Sequence, residues 1–203
     1  MDTNFLPLFP LRVVLLPGEF LPLHIFEERY KLMIGQCREE DRPFGVVLAD
    51  EKGVRNFGCS ARIVKVMEEF PDGRMNILTR GEGRFRILHT NDDRPYLTAD
   101  VEFFDDRPED APSAILTKKI LAFLPEHRKD AGPISDDIQN DPKRLSFWAG
   151  ASLRPELEDK QVLLESKSTS ERLAELVRII EETRKKEKRM DRLRQFSPKN
   201  GHP

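Results

Sequence analysis

The chain has 203 residues, enough to bury the core of one large domain or of two closely joined lobes. Its 34 Lys and Arg residues nearly balance its 36 Asp and Glu residues, giving a formal net charge of −2. This balance argues against a dedicated nucleic-acid-binding protein, whose surface normally carries a clear basic excess. Two cysteines, Cys37 and Cys59, are too few for a disulfide framework and fit a reducing cytoplasm, where we expect the protein.

The proline-rich opening at 5–16 predicts either two short strands or one strand followed by a tight connection. Pro7 and Pro10 cannot donate ladder hydrogen bonds, so this strand should lie at a sheet edge or use only alternate pairings. The apolar run continues past a Pro17-Gly18 turn, but repeated prolines interrupt it and exclude a membrane span.

Apolar spacing then predicts a strand at 20–26, a helix at 27–40 and a short buried strand at 44–49. The helix should bury one face, formed by Tyr30, Met33, Ile34 and Cys37.

A long β-hairpin at 57–88 organises the first half of the chain. Its turn is Pro71-Asp72-Gly73. Proline has a fixed φ, the aspartate side chain can hydrogen-bond to the nearby backbone, and glycine accepts a positive φ. On the return strand, Phe85 alternates with Arg84 and Arg86, so one face should be apolar and the other charged. The outgoing strand alternates poorly, which predicts apolar neighbours on both of its faces. A last strand is expected at 96–104.

Beyond an acidic boundary at 105–110, which we interpret as a solvated linker rather than a cation site, the pattern becomes helical. Helices are predicted at 114–124, from Asp141, at 156–165 and from Ser168 to about Phe196, with a loop at 131–141. Leu145, Trp148 and Ala149 should point inward, as should Leu157, Val162 and Leu163. The last helix would span roughly 40 Å and project past the lobe.

The order of these motifs resembles the N-terminal domain of Lon proteases over about residues 5–190. The similar segments are L-P-L-F-P-L-R-V-V-L-L-P-G-E-F-L-P-L at 6–23, G-C-S-A-R-I-V-K-V at 58–66, R-G-E-G-R-F-R-I at 80–87, D-P-K-R-L-S-F-W-A at 141–149 and E-D-K-Q-V-L-L-E-S-K-S-T-S-E-R-L at 158–173.

The resemblance implies an α+β fold over 5–195: a PUA-like β-barrel lobe at 5–106 and a C-terminal helical bundle lobe at 109–195 with a long last helix. A disordered tail is expected at 197–203. In full Lon proteases this region is implicated in recognising unfolded or degron-bearing proteins. The resemblance therefore implies a stand-alone substrate-binding domain that recognises polypeptides.

Several absences from the sequence predict a protein that is not an enzyme. No glycine precedes a lysine, so the sequence lacks the G-K-[ST] motif that ends a phosphate-binding loop. The Ser-Lys module of Lon proteolysis is missing as well. The four histidines are scattered, without a nearby cysteine or an i,i+4 partner. We therefore predict no catalytic residues, no cofactor and no metal. His24, in an apolar strand, is expected to be packed and hydrogen-bonded.

The predicted binding site is a groove between the proline-rich opening and the helical lobe, with Arg12 and Arg84 on its polar rim. Its candidate peptide-binding residues are Phe9, Arg12, Val14, Phe20, Phe26, Arg84 and Trp148. The expected partners are unfolded or flexible polypeptide segments, with a separate protease as a further candidate partner. No membrane partner is expected, and the sequence does not determine the oligomeric state.

The alternative is an RNA-binding PUA-like protein that uses the basic end of the last helix. Residues 184–194 contain seven basic and two acidic residues. Cations at a helix C-terminus also favour the dipole, so a solvated helix end explains the same pattern. The overall charge makes nucleic acid the less favoured partner.

Overall fold

The fold is of the α+β class, as the sequence predicts. The computed structural model describes residues 5–108, 112–127 and 134–196. In these ranges the strands are β1 (Phe5–Leu11), β2 (Phe20–Ile25), β3 (Phe44–Asp50), β4 (Gly53–Glu69), β5 (Met75–Asn91) and β6 (Thr98–Phe104). The helices are α1 (Glu28–Glu39), α2 (Ala114–His127), α3 (Asp136–Gln139), α4 (Pro142–Leu153), α5 (Leu157–Glu165) and α6 (Thr169–Phe196). We call β1–β6 with α1 the β lobe, and α2–α6 the helical lobe.

The six strands form one sheet in the order β2-β5-β4-β3-β1-β6, and an additional β5–β6 pairing closes five of them into a ring. The strand β2 stands outside this ring, alongside the first half of β5. Of the two arrangements predicted for β1, the edge position is wrong, because β1 pairs with β3 on one side and β6 on the other. Each neighbour pairs with only part of β1, so the strand tolerates two prolines, which lack a backbone N–H donor.

The predicted hairpin is confirmed as β4 and β5, and Gly73 in its turn has φ +80°. Its pairing register shifts between Ile63 and Lys65 and again between Val66 and Glu68. The skipped residues, Val64 and Met67, are 54% and 60% exposed. The expectation of apolar cover on both faces of β4 is therefore wrong here, because bulges, not a second layer, explain the poor alternation.

In the helical lobe, two predicted caps are present. The Asp141 carboxylate accepts hydrogen bonds from the backbone N–H groups of Lys143 and Arg144 at the start of α4. The Ser168 hydroxyl accepts one from the backbone N–H of Glu171 at the start of α6. Both caps satisfy backbone donors that a helix leaves unpaired at its first turn.

Three details of the helical lobe differ from the sequence prediction. The helix α2 runs past Pro125 to His127, and α3 occupies part of the predicted 131–141 loop. Val162 was predicted to point inward but is 52% exposed, because Leu164 beside Leu163 completes the buried face of α5. The predicted tail at 197–203 lies outside the described residues.

One hydrophobic core joins the two lobes. It contains the predicted buried face of α1 together with residues of α2, α4, α5 and α6. The connection after β1 enters it, since Val14, Leu15 and Leu16 are buried. A Cβ added to Gly150 on α4 would lie 2.9 Å from Leu16, so the lobes pack closely here. Within the described ranges, none of the helices combines the length and apolarity that crossing a membrane requires.

Replacing Gly81 by alanine should lower the free energy of unfolding by about 2–3 kcal/mol. A Cβ at this position of β5 would lie 2.3 Å from the backbone oxygen of Leu16, which the surrounding hydrogen bonds hold in place. Urea unfolding would measure the loss. The matched control is Gly35→Ala in α1, where nothing lies within 4 Å and a gain of about 0.5–1 kcal/mol is expected. Equal stabilities of the Gly81 variant and the wild type would contradict the close approach.

Candidate polypeptide-binding surface and inter-lobe cleft

The outer face of β2 exposes apolar side chains. Burial alternates along the strand, so Phe20, Pro22 and His24 point outward, and Phe26 follows directly after it. Phe20 is 55% exposed and Phe26 is 58% exposed. Such large aromatic side chains normally lose more surface to the core. We name this surface the apolar strand face, and it comprises Phe20, Pro22, His24, Phe26, Val64, Met67 and Phe70.

The bulges of β4 extend the face sideways. Met67 and Glu68 line a shallow hollow together with Pro22 and His24. Val64 lies at the register shift between Ile63 and Lys65, and Lys65 pairs with Leu78 opposite Pro22. The apolar surface therefore continues from β2 across β5 to β4.

His24 has a fixed orientation in this face. Its Nδ1 lies 2.7 Å from Asn76 Oδ1, and Asn76 Nδ2 donates to Glu68 Oε2 at 2.8 Å. Because the amide N–H₂ of Asn76 points to the carboxylate, its oxygen accepts the Nδ1–H of His24. The ring also stacks on Phe26 at 5.8 Å and meets Phe70 edge-on at 6.3 Å. His24 is hydrogen-bonded, as predicted, but its side chain is exposed rather than packed inside.

One edge of β2 has no strand partner in the described part of the chain. The strand pairs with β5 through all six of its residues, and its other edge is unpaired. An edge strand presents backbone N–H and C=O groups that another extended chain can pair with. Pro22 removes one donor from this strand, which limits the pairing but does not abolish it.

A second concave surface lies between the lobes. This inter-lobe cleft has a volume of about 630 Å³. Its β-lobe wall includes Phe103 and Phe104 of β6, and its helical wall includes Phe147 and Trp148 of α4. Phe103 is 41% exposed, whereas Phe147 is buried. The cleft therefore has aromatic surface on both sides.

A buried ionic cluster lies behind the cleft and ties the lobes together. Asp106 accepts hydrogen bonds from Arg84 at 2.6 Å and from Arg172 at 2.7 and 2.5 Å. The Thr169 hydroxyl donates to the same carboxylate at 2.6 Å. Arg84 comes from β5 and Arg172 from α6, so the carboxylate connects the two lobes. Asp106 is therefore not part of a solvated linker, and Glu109 and Asp110 lie outside the described residues.

The buried cluster contains two guanidinium groups but only one buried carboxylate. Backbone carbonyl oxygens accept the hydrogen bonds that this carboxylate cannot accept. Arg84 donates to the carbonyls of Leu164 and Ser166 at the C-terminus of α5, where the helix dipole is negative. It also lies 5.0 Å from the ring of Phe147. Burial lowers the pKa of Arg84, and the charge of Arg172 lowers it further. The residue predicted for the polar rim is thus 3% exposed and structural, because these acceptors replace water.

The pKa of Asp106 lies well below its usual range. Burial alone would raise it, but hydrogen bonds from Arg172 and Thr169 and the charges of Arg172 and Arg84 outweigh that effect. The carboxylate is therefore ionised at any physiological pH, and its negative charge stabilises the two buried arginines.

The structure divides the other predicted site residues among four places. Phe9 and Val14 are core residues, 6% and 1% exposed, because β1 and the connection after it lie inside the molecule. Phe20 and Phe26 lie on the apolar strand face. Trp148 lines the inter-lobe cleft instead of pointing fully inward. Arg12 is exposed and does not line the cleft. No single groove collects all seven residues.

One cleft residue that the sequence does not indicate is Arg80 of β5. It lines the cleft and lies opposite Phe20, its guanidinium carbon 5.7 Å from that ring. Phe20 and Arg80 therefore join the apolar strand face to the cleft. Only the strand register brings them together, so no local sequence signal could have shown it.

The fold and its surfaces define a two-lobed α+β domain with an exposed apolar sheet face and an aromatic cleft. Comparison with known proteins identifies the family. The family model of the ATP-dependent protease La (LON) substrate-binding domain matches residues 5–182, so the chain belongs to this family.

Curated relatives and solved structures agree with this family. The chain is 28% identical to Lon protease of Cytophaga hutchinsonii and 27% identical to Lon protease 1 of Hydrogenovibrio crunogenus, over 88% of its length in both cases. It spans only about a quarter of these relatives, 24% of each. The Lon N-terminal domain protein of Xanthomonas campestris matches with a TM-score of 0.63 and 25% identity, over 85% of this chain and 96% of that one. The N-terminal domain of the Mycobacterium avium complex Lon protease shares the fold, with a TM-score of 0.67 and 21% identity, over 87% and 98%.

Proposed function

We propose that this chain is a non-enzymatic recognition module that binds exposed apolar segments of unfolded or flexible polypeptides on its apolar strand face. The observation that carries the proposal is the exposure of Phe20, Phe26, Val64 and Met67, each more than half exposed, beside an unpaired strand edge. An extended peptide can pair with that edge and bury alternate side chains on the adjacent face.

The proposed mode accounts for both selectivity and modest strength. Unfolded chains offer extended backbone and apolar side chains together, whereas a folded protein conceals both. Ordering a flexible client costs conformational entropy, so only part of the contact energy appears as affinity. Dissociation constants near micromolar, about −8 kcal/mol, are expected. The match of the family model to a substrate-binding domain supports this assignment.

Titration with an unfolded protein and with an array of its peptides tests the proposal. Saturable binding to the unfolded form, and not to the same protein folded, is the expected result. Binding should concentrate on peptides with alternating apolar residues. Absence of saturable binding up to high micromolar concentration would refute the proposal. Hydrolysis of casein, peptides or ATP by the purified protein would refute its non-enzymatic part.

Delivery of bound clients to a separate protease is a further part of the proposal, supported by the Lon proteases among the relatives. Adding the protein to a Lon protease and a labelled unfolded client should change the rate of degradation. The matched control uses a variant that no longer binds the client. An equal change with that variant would show that delivery does not involve the apolar strand face.

RNA binding by the basic end of α6 is the second candidate function. In its favour, residues 185, 186, 188 and 189 are basic and exposed on a helix that extends beyond its buried stripe. We expect neutralisation of Lys185, Lys186 and Arg189 to leave polypeptide binding unchanged. Salt-dependent RNA affinity that falls in the same variant would favour the RNA function instead.

A further inference from the structure

The charged side chains that line the inter-lobe cleft are nearly all neutralised within the protein. Glu19 pairs with Lys160 at 2.7 Å, Glu82 with Arg62 at 2.8 Å, and Asp105 with Lys143 at 2.6 Å. The remaining paired charges are Arg84 with Asp106, and Arg144 with Asp137 and Asp141. Among the described residues, Arg80 is the one cleft-lining cation without a carboxylate partner.

Arg80 faces a second arginine in the free protein, and only that second arginine has carboxylate partners among the described residues. It lies directly opposite Arg62 across the β4–β5 ladder, and like charges facing each other destabilise a sheet. Arg62 is compensated by Glu82 and by Asp41, at 2.8 and 3.2 Å. Arg80 instead packs over the Phe20 ring and stays exposed. Its guanidinium is therefore available to a carboxylate from outside the protein.

We propose that Arg80 is a carboxylate anchor for the polypeptide that binds the apolar strand face, an inference that rests on the proposed function. The strand β2 runs from Phe20 to Ile25, and Arg80 pairs with its first residue. A segment that pairs antiparallel with the free edge of β2 therefore ends beside Phe20. Arg80 lies on the other side of β2, and its guanidinium lies over the Phe20 ring. The terminal carboxylate of the segment, or an acidic side chain near its end, meets the guanidinium across that ring.

The guanidinium group suits this role. It offers paired N–H donors in the geometry of a carboxylate, and the stacking contact with Phe20 limits its freedom before the ligand arrives. Phe20 also belongs to the apolar strand face. Phe20 thus contacts an apolar side chain of the ligand, and Arg80 binds the carboxylate that follows it. This pair of contacts favours apolar chain ends over internal apolar segments.

Three versions of one labelled peptide with alternating apolar residues test the proposal: a free C-terminal acid, a C-terminal amide, and an amide with a single aspartate near the end. Fluorescence anisotropy measures each dissociation constant. The wild type should bind the acid about fivefold to tenfold more tightly than the plain amide at low salt. The aspartate version shows whether a side-chain carboxylate can replace the terminal one.

The variant Arg80→Gln should bind acid and amide equally, at the affinity of the wild type for the amide. The matched control, Arg86→Gln, removes another exposed arginine of β5 that is already paired with Glu102, and should keep the preference for the acid. Thermal unfolding should show Arg80→Gln to be at least as stable as the wild type, because Arg80 forms no ion pair that the variant could lose and it faces Arg62.

The outcomes separate the two proposals. Equal binding of acid, aspartate and plain amide by the wild type would overturn the anchor and leave the proposed function intact. A carboxylate preference that survives in Arg80→Gln would also overturn it. Failure of every peptide to bind the wild type would refute the proposed function itself, and the anchor with it.

Discussion

Replacing Asp106 by asparagine should lower the free energy of unfolding by about 3–5 kcal/mol, the usual loss when one partner of a buried ion pair is removed. The change leaves the guanidinium groups of Arg84 and Arg172 buried, 3% and 0% exposed, without their shared carboxylate. Because one arginine belongs to each lobe, the contact between lobes should weaken first. Urea unfolding at pH 7 measures the loss.

The effect should depend on pH, in a direction set by the depressed pKa of Asp106. A carboxylate whose folded pKa lies below its unfolded value of about 3.9 stabilises the fold fully above that value. This stabilisation is lost as the pH falls from about 5 toward the lower folded pKa. The wild type loses it on acidification, whereas Asp106→Asn lacks it throughout. The difference in stability between them should therefore shrink between pH 5 and pH 2.

The control for this prediction is the neighbouring carboxylate. Asp105→Asn removes the same charge from a side chain that is 69% exposed and pairs with Lys143, so it should cost less than about 1 kcal/mol. Thr169→Val gives a milder change in the cluster, since it removes one hydroxyl that donates to Asp106. Equal losses for Asp105→Asn and Asp106→Asn would show that the cluster does not join the lobes.

Local signals predicted the secondary structure well because their causes are local. The Pro-Asp-Gly turn, the Asp141 cap and the 3.6-residue period of α1 each act within one turn of chain. Bulges are different. The spacing of Val64 and Met67 looked like a strand covered on both faces, and only the register with β5 shows that each is an extra exposed residue.

The site was less predictable than the fold because it depends on distant pairings. Arg84 alternates with Phe85, which suggested an exposed charge. Its burial requires Asp106, which follows β6, and Arg172, which lies on α6. In the same way, Phe9 and Phe20 are both aromatic residues of the opening segment. However, β1 is one of the strands of the ring, whereas β2 stands outside the ring. Sequence could propose aromatic residues for binding, but only the topology sorts core from surface.

The double variant Phe20→Ser, Phe26→Ser should weaken polypeptide binding by roughly 30-fold. Each ring is a little more than half exposed in the free protein. Covering that remaining surface is worth about 1 kcal/mol per ring, so two rings contribute about 2 kcal/mol. The loss measured by titration should appear mainly in the dissociation rate, because the removed contacts form after encounter. Folding should be nearly unaffected, since neither ring belongs to the hydrophobic core.

A matched double variant on the helical lobe separates this specific loss from a general loss of surface hydrophobicity. Ile115→Ser with Val162→Ser removes two side chains that are 71% and 52% exposed and belong to α2 and α5. It should bind unfolded polypeptides as the wild type does. Equal weakening by both double variants would mean that clients adhere to any exposed apolar residue. Selective weakening by the first would instead locate recognition on the strand that stands outside the ring, where an apolar face and an unpaired edge coincide.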